Sequence, residues 1–172
     1  MNLPNKLTLA RVVAVPFFVI IYIKGYSSAA FVIFILASIT DYFDGQIARK
    51  RNLITNFGKI MDPLTDKILV YSAFCCMVGN GLVPSWMLIV ILTREFIVGG
   101  MRTVAAAEGI VIAAGMSGKI KTVLQMIAVS MLILNNPLPI ATAAQVLLWA
   151  SLIMTVISGV EYIYKNKQVF SM

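Results

Sequence analysis

Residues 28–50 read SAAFVIFILASITDYFDGQIARK. From Ala29 to Ile39 the run is apolar except for Ser38; then come Asp41 and Asp44, and finally Arg49 and Lys50. An apolar run of this kind with a charged end fits a bilayer-spanning helix, which needs roughly 17–25 residues.

Working outward, five more segments have the same character: Asn5–Ile23, Gly58–Val78, Val83–Ala106, Gly118–Leu134 and Ile140–Tyr164. The breaks carry turn chemistry, in Lys24-Gly25-Tyr26-Ser27, Gly79-Asn80-Gly81 and Asn135-Asn136-Pro137. Of the 172 residues 60% are hydrophobic and only 12% charged, whereas soluble domains carry about a quarter charged residues. An ordinary water-soluble globule is therefore excluded. The expected fold is all-α and polytopic, a six-transmembrane-helix bundle forming one integral membrane domain over residues 1–172. The first segment reads as a span and not a cleaved leader, because Asn5, Thr8 and Arg11 form a polar stripe within it and five spans follow.

With no histidine in the chain, His-based triads, His metal sites and imidazole acid–base catalysis are excluded. The two cysteines, Cys75 and Cys76, are adjacent within an apolar run, so they form neither a disulfide framework nor a spaced zinc site.

Charge sets the orientation. Lys6 and Arg11 lie at the start; Arg49, Lys50, Arg51 and Lys59 surround the junction of spans 2 and 3. Arg102, Lys119 and Lys121 surround that of spans 4 and 5, and Lys165 and Lys167 follow span 6, while the opposite connections hold only Lys24. Basic residues favour the cytoplasmic side, so both termini are expected there, in a multi-pass protein of the cell membrane. The net charge of +7 is mostly this topological signal and also suits anionic membrane lipids. No basic run is long enough to suggest nucleic acid as a partner.

Four of the seven acids fall at Asp41, Asp44, Asp62 and Asp66. At 100° per residue the first pair projects about 60° apart and the second about 40°, so each pair shares one helix face. A short basic connection makes the two helices antiparallel neighbours and brings the pairs to the same depth near the cytoplasmic side. Facing lipid, each Asp would cost about 2.5–3.5 kcal/mol, on the order of 10 kcal/mol for four. They must therefore face the bundle interior or a water-filled cavity, where they repel one another unless protonated or neutralised. Four carboxylates balance two divalent cations, and an all-oxygen set favours Mg²⁺ or Mn²⁺. The competing reading pairs them with Arg49, Lys50, Lys59 and Lys67. Gly45, Ala48 and Gly58 leave room for a phosphorylated ligand to approach the helices. Pro63 is expected just inside the third helix, leaving amides free for phosphate oxygens.

These residues match D-x-x-D-G-x-x-A-R-x8-G-x-x-x-D-x-x-x-D without a gap. The pattern resembles the signature of the CDP-alcohol phosphatidyltransferase family, integral membrane enzymes of phospholipid synthesis. The resemblance implies that Asp41, Asp44, Asp62 and Asp66 hold two metal ions and that Asp66 is also the general base. It implies that Gly45, Ala48, Arg49 and Gly58 line the CDP moiety, and it suggests a homodimer.

Three more patches are similar to the bacterial branch of that family, which joins CDP-diacylglycerol to glycerol 3-phosphate. Asn5, Thr8 and Arg11 are three residues apart and share a face that can point at a polar headgroup, placing them with the CDP-lipid site; polar residues at a membrane interface would look the same. Arg94 and Glu95 lie deep in an apolar span, the mark of function or of a buried ion pair. Glu95 and Arg102, seven apart, share a face. Lys119 and Lys121 project about 160° apart, so only one faces inward if both are helical. The favoured acceptor-phosphate ligands are Arg94, Arg102 and Lys119, with Lys59 and Lys121 behind them, since a solvated fringe would account for Lys121 equally well. So many cations favour a phosphorylated acceptor, and the resemblance favours glycerol 3-phosphate. Inositol phosphate, inositol or serine are the alternatives within the family, and a cation or proton carrier is the alternative outside it.

Overall fold

The computed structural model describes residues 3–50, 56–110, 112–113, 115–134 and 139–168; the side chains of 3–6, 41–50, 56–63 and 66 lie outside the description. Six helices run through these residues: α1 (Leu3–Ile23), α2 (Ser27–Lys50), α3 (Asn56–Gly79), α4 (Ser85–Ala107), α5 (Met116–Ile133) and α6 (Ile140–Lys165). No strand occurs among the described residues. The ends fall within two residues of the apolar segments read from the sequence.

Three helices stop in the same way. After α1, Gly25 at φ 83° donates to Tyr22 O and Tyr26 donates back to Ile21 O. Gly81 with Leu82 closes α3, and Gly109 with Ile110 closes α4, through the same pair of bonds. This is the Schellman ending, in which a residue without Cβ takes the left-handed turn and the last carbonyls find donors.

Each helix buries one stripe. On α1 it is Thr8, Arg11, Val15, Phe18 and Tyr22; on α4 it is Met87, Ile91, Glu95, Val98, Met101 and Ala105. The opposite faces are equally apolar but exposed, as with Val146, Trp149, Ile153, Val156, Ile157 and Val160 on α6 and Val32, Leu36 and Ile39 on α2. Water would not tolerate so much contiguous apolar surface, whereas lipid chains would cover it. Hydroxyls inside these helices bond to their own backbone, Ser38 to Phe34 O, Thr155 to Ser151 O and Ser158 to Thr155 O. This satisfies polar groups that have no water to turn to.

Among the described residues, α5 and α6 are by themselves long and apolar enough to cross a bilayer. α4 matches them in length but carries Arg94, Glu95 and Arg102. α1, α2 and α3 contribute the apolar stretches Leu7–Ile23, Ser27–Thr40 and Lys67–Gly79.

The chain forms two compact units. The first is Met1–Leu82 with Val129–Asn136, in which α1 packs on both α2 and α3. Phe18 of α1 meets Phe34 of α2 there with ring centroids 6.0 Å apart. The second is Val83–Ala128 with Pro137–Met172, in which α4 packs on α6. One of its apolar clusters is Val98, Met101, Ala105 and Tyr162, against which Ile110 and Ile112 pack from the connection after α4.

Candidate active site

The first unit carries the acid-bearing helices. Asp41 and Asp44 lie on α2 and Asp62 and Asp66 on α3, but their side chains fall outside the described residues, as do those of Asn5, Gly45, Ala48, Arg49, Gly58 and Lys59. The backbone register can still be followed. α2 buries Ala30, Phe34 and Ala37, and positions 41, 44 and 48 continue that series at steps of four, three and four. α3 buries Leu69, Ala73 and Met77, and 66, 62 and 58 extend that series backwards at steps of three, four and four. At 3.6 residues per turn, both acid pairs therefore stand in line with the buried stripe of their helix. Among the described side chains no three carboxylates or thiols come together.

α1 adds two polar residues to this unit. Thr8 and Arg11 are 1% and 2% exposed, in line with Val15 and Phe18. These two share a face, and it is buried in the protein; Asn5, the third residue expected on that face, lies outside the described side chains.

Pro63 departs from expectation. α3 begins at Asn56, so Pro63 lies two turns inside it. The amides without intrahelical acceptors are those of the first turn, several residues earlier.

The second unit holds a buried charge cluster. Arg94 Nη1 donates to Glu95 Oε1 at 2.7 Å, and Lys121 Nζ of α5 donates to the same oxygen. The three side chains are 14%, 9% and 4% exposed. Two cations thus share one carboxylate oxygen in a low-dielectric setting. Arg94 Nε is buried with no hydrogen-bond partner among the described residues, and so is Gln125 Nε2, one turn along α5 from Lys121. Unspent donors beside two buried cations suit an anion with several oxygens, such as a phosphate monoester.

The order of the two lysines is the reverse of that expected. Both are helical, and Lys121 is the buried one while Lys119 is exposed. α5 starts at Met116 and its buried stripe runs Lys121, Gln125, Ala128 and Leu132, which leaves position 119 on the outer face. Arg102 also differs from Glu95 despite their spacing. It is exposed, and its guanidinium lies over the Tyr162 ring, 5.3 Å from the centroid, with Nε donating to Tyr162 OH at 3.1 Å. Nearby, Ser117 donates to Glu161 Oε2 at 2.5 Å and Lys165 to Glu161 Oε1 at 2.6 Å, tying the start of α5 to the end of α6.

Sequence reading did not single out Tyr162, Gln125 or Gly159. Tyr162 and Gly159 lie some sixty residues from the arginines they touch, and no local pattern links them.

Comparison with known proteins adds the following. The family model described as CDP-alcohol phosphatidyltransferase matches residues 1–157. A Bacillus subtilis (strain 168) protein named CDP-diacylglycerol--glycerol-3-phosphate 3-phosphatidyltransferase is 47% identical, over 96% of this chain and 95% of its own length. A Rickettsia bellii protein of the same name is 38% identical, over 98% and 97%.

Proposed function

The chain belongs to the CDP-alcohol phosphatidyltransferase family, and on that premise we propose that it transfers the phosphatidyl group of CDP-diacylglycerol to glycerol 3-phosphate, releasing CMP and phosphatidylglycerophosphate. The observation that carries the reaction is the ungapped acid signature on α2 and α3, in register with the buried stripes of both helices. The acceptor rests on the relatives' name and on the buried cationic cluster of Arg94 and Lys121.

The four aspartates offer an all-oxygen donor set whose charge matches two hard divalent cations, so the residues fit Mg²⁺ or Mn²⁺. Asp41, Asp44, Asp62 and Asp66 would hold them, and such ions supply charge neutralisation at the diphosphate. Asp66 takes the proton of the attacking acceptor hydroxyl. Gly45, Ala48 and Gly58, with little or no side chain, let the cytidine diphosphate lie close to α2 and α3, and Arg49 pairs with its phosphate charge. Thr8 and Arg11, with Asn5 one turn before, extend the polar lining along α1. Arg94 and Lys121 receive the acceptor's phosphate, helped by the more exposed Arg102 and Lys119, and Lys59 is a further candidate cation for it. A bound phosphate held there orients the acceptor hydroxyl, which converts binding energy into rate through positioning.

The same reading places both termini and the site at the cytoplasmic face of the cell membrane, with six crossings and two copies per assembly. It is tested by CMP release from purified protein given CDP-diacylglycerol and, in turn, glycerol 3-phosphate, inositol phosphate, inositol and serine. Release with glycerol 3-phosphate alone is the expected result. Release with another acceptor instead would move the chain to a different branch of the family.

A further inference from the structure

Arg94 is seated on glycine. Gly159 of α6 lies so close to its stem that a β-carbon there would stand 2.9 Å from Arg94 Cγ and 3.9 Å from Cβ. Carbon atoms pack at roughly 3.5–4.0 Å, so any side chain at 159 forces Arg94 or α6 to shift. On α5, a β-carbon at Gly118 would stand 3.4 Å from Arg94 Nη2. The guanidinium is held at its other end by Glu95. By contrast, a β-carbon on Gly99 or Gly100 of α4 itself would meet nothing within 4 Å.

We propose that Gly159 is a positioning residue for the acceptor-phosphate site, acting through Arg94: the absent side chain on α6 forms the seat that aims the guanidinium. Cγ is the second carbon of the Arg94 stem, and the five heavy atoms beyond it swing with it. A displacement at Cγ therefore grows toward Nε and the two Nη atoms, which are the groups a phosphate would meet. Gly118 bounds the far, flexible end of the same side chain, where a small adjustment is tolerated. Gly159 lies beyond the residues that the family model matches, 1–157, and belongs to no part of the acid signature. The inference rests on the proposed acceptor reading, in which Arg94 binds phosphate.

A double-mutant cycle tests it, because coupling between two sites shows as non-additivity. Gly159→Ala should raise KM for glycerol 3-phosphate about ten-fold, leaving kcat and the KM for CDP-diacylglycerol within two-fold. In an Arg94→Ala background the same substitution should change none of these. Gly118→Ala should shift KM in the same direction by less, and Gly100→Ala should leave it unchanged. An equal effect of Gly159→Ala with and without Arg94, or no effect at all, would overturn the proposal. Thermal melting gives a reading independent of turnover: Gly159→Ala should lower Tm only where Arg94 is present. Equal loss of Tm, or of folded protein, in both backgrounds would overturn it too. If the wild type ignores glycerol 3-phosphate while melting still shows the coupling, the acceptor assignment fails and the Gly159–Arg94 seat stands.

Discussion

Lys121 of α5 and Glu95 of α4 are ion-paired with less than a tenth of either side chain exposed. The carboxylate also accepts from Arg94, so removing it takes the shared anionic partner from two buried cations. Breaking a buried pair from one side costs about 3–5 kcal/mol, while replacing both partners with apolar groups is often close to neutral. Glu95→Ala should therefore destabilise the protein strongly, and Glu95→Ala with Lys121→Met should recover much of the loss. Thermal melting in detergent compares them; equal melting temperatures for the single and double variants would contradict the pairing.

Arg94→Ala should weaken the acceptor specifically. A hydrogen bond to a charged group contributes about 1.5–3 kcal/mol, equivalent to roughly 10–150-fold in affinity. KM for glycerol 3-phosphate should rise within that range, with KM for CDP-diacylglycerol nearly constant. A matched rise in both constants would place Arg94 outside the acceptor site.

Asp66→Asn keeps size and shape but cannot take a proton. CMP release should fall by at least 10²-fold, the lower end of what a positioned base contributes, while helix content by circular dichroism stays at the wild-type value. Turnover close to wild type would remove Asp66 from the role of base.

Chelation addresses the acid cluster as a whole. EDTA should abolish CMP release, and added Mg²⁺ or Mn²⁺ should restore it, because four carboxylates gathered in the proposed site would need compensating charge. Full activity in EDTA would leave the four aspartates without their proposed ions.

Topology can be read by labelling. In a Cys75→Ala, Cys76→Ala background, a membrane-impermeant maleimide should label Lys24→Cys in intact cells, and Lys167→Cys only after permeabilisation. The reverse pattern would invert the orientation expected from the distribution of basic residues.

Much of the fold was legible in the chain because its helices are long apolar segments whose ends coincide with Gly-containing turns. The endings at Gly25 and Gly81 show this directly, since each glycine marks both a break in hydropathy and a left-handed backbone turn. The acid signature that pointed to the family was legible for a related reason: charge is costly in an apolar solvent, so its spacing along a helix carries information. The two lysines of α5 were harder. Two residues that project about 160° apart announce that one faces inward, but which one depends on where the neighbouring helix lies.

The sequence by itself determined that this chain builds six long, largely apolar helices, where they begin and end, and which family signature they carry, because these follow from local composition and fixed spacing. Only the tertiary structure decided that Lys121 and not Lys119 is buried against Glu95, that Tyr162 lies under Arg102, and that Gly159 seats Arg94. Those relationships join residues 26 to 65 positions apart. They are set by the packing of one helix against another, and no local pattern along the chain encodes that packing.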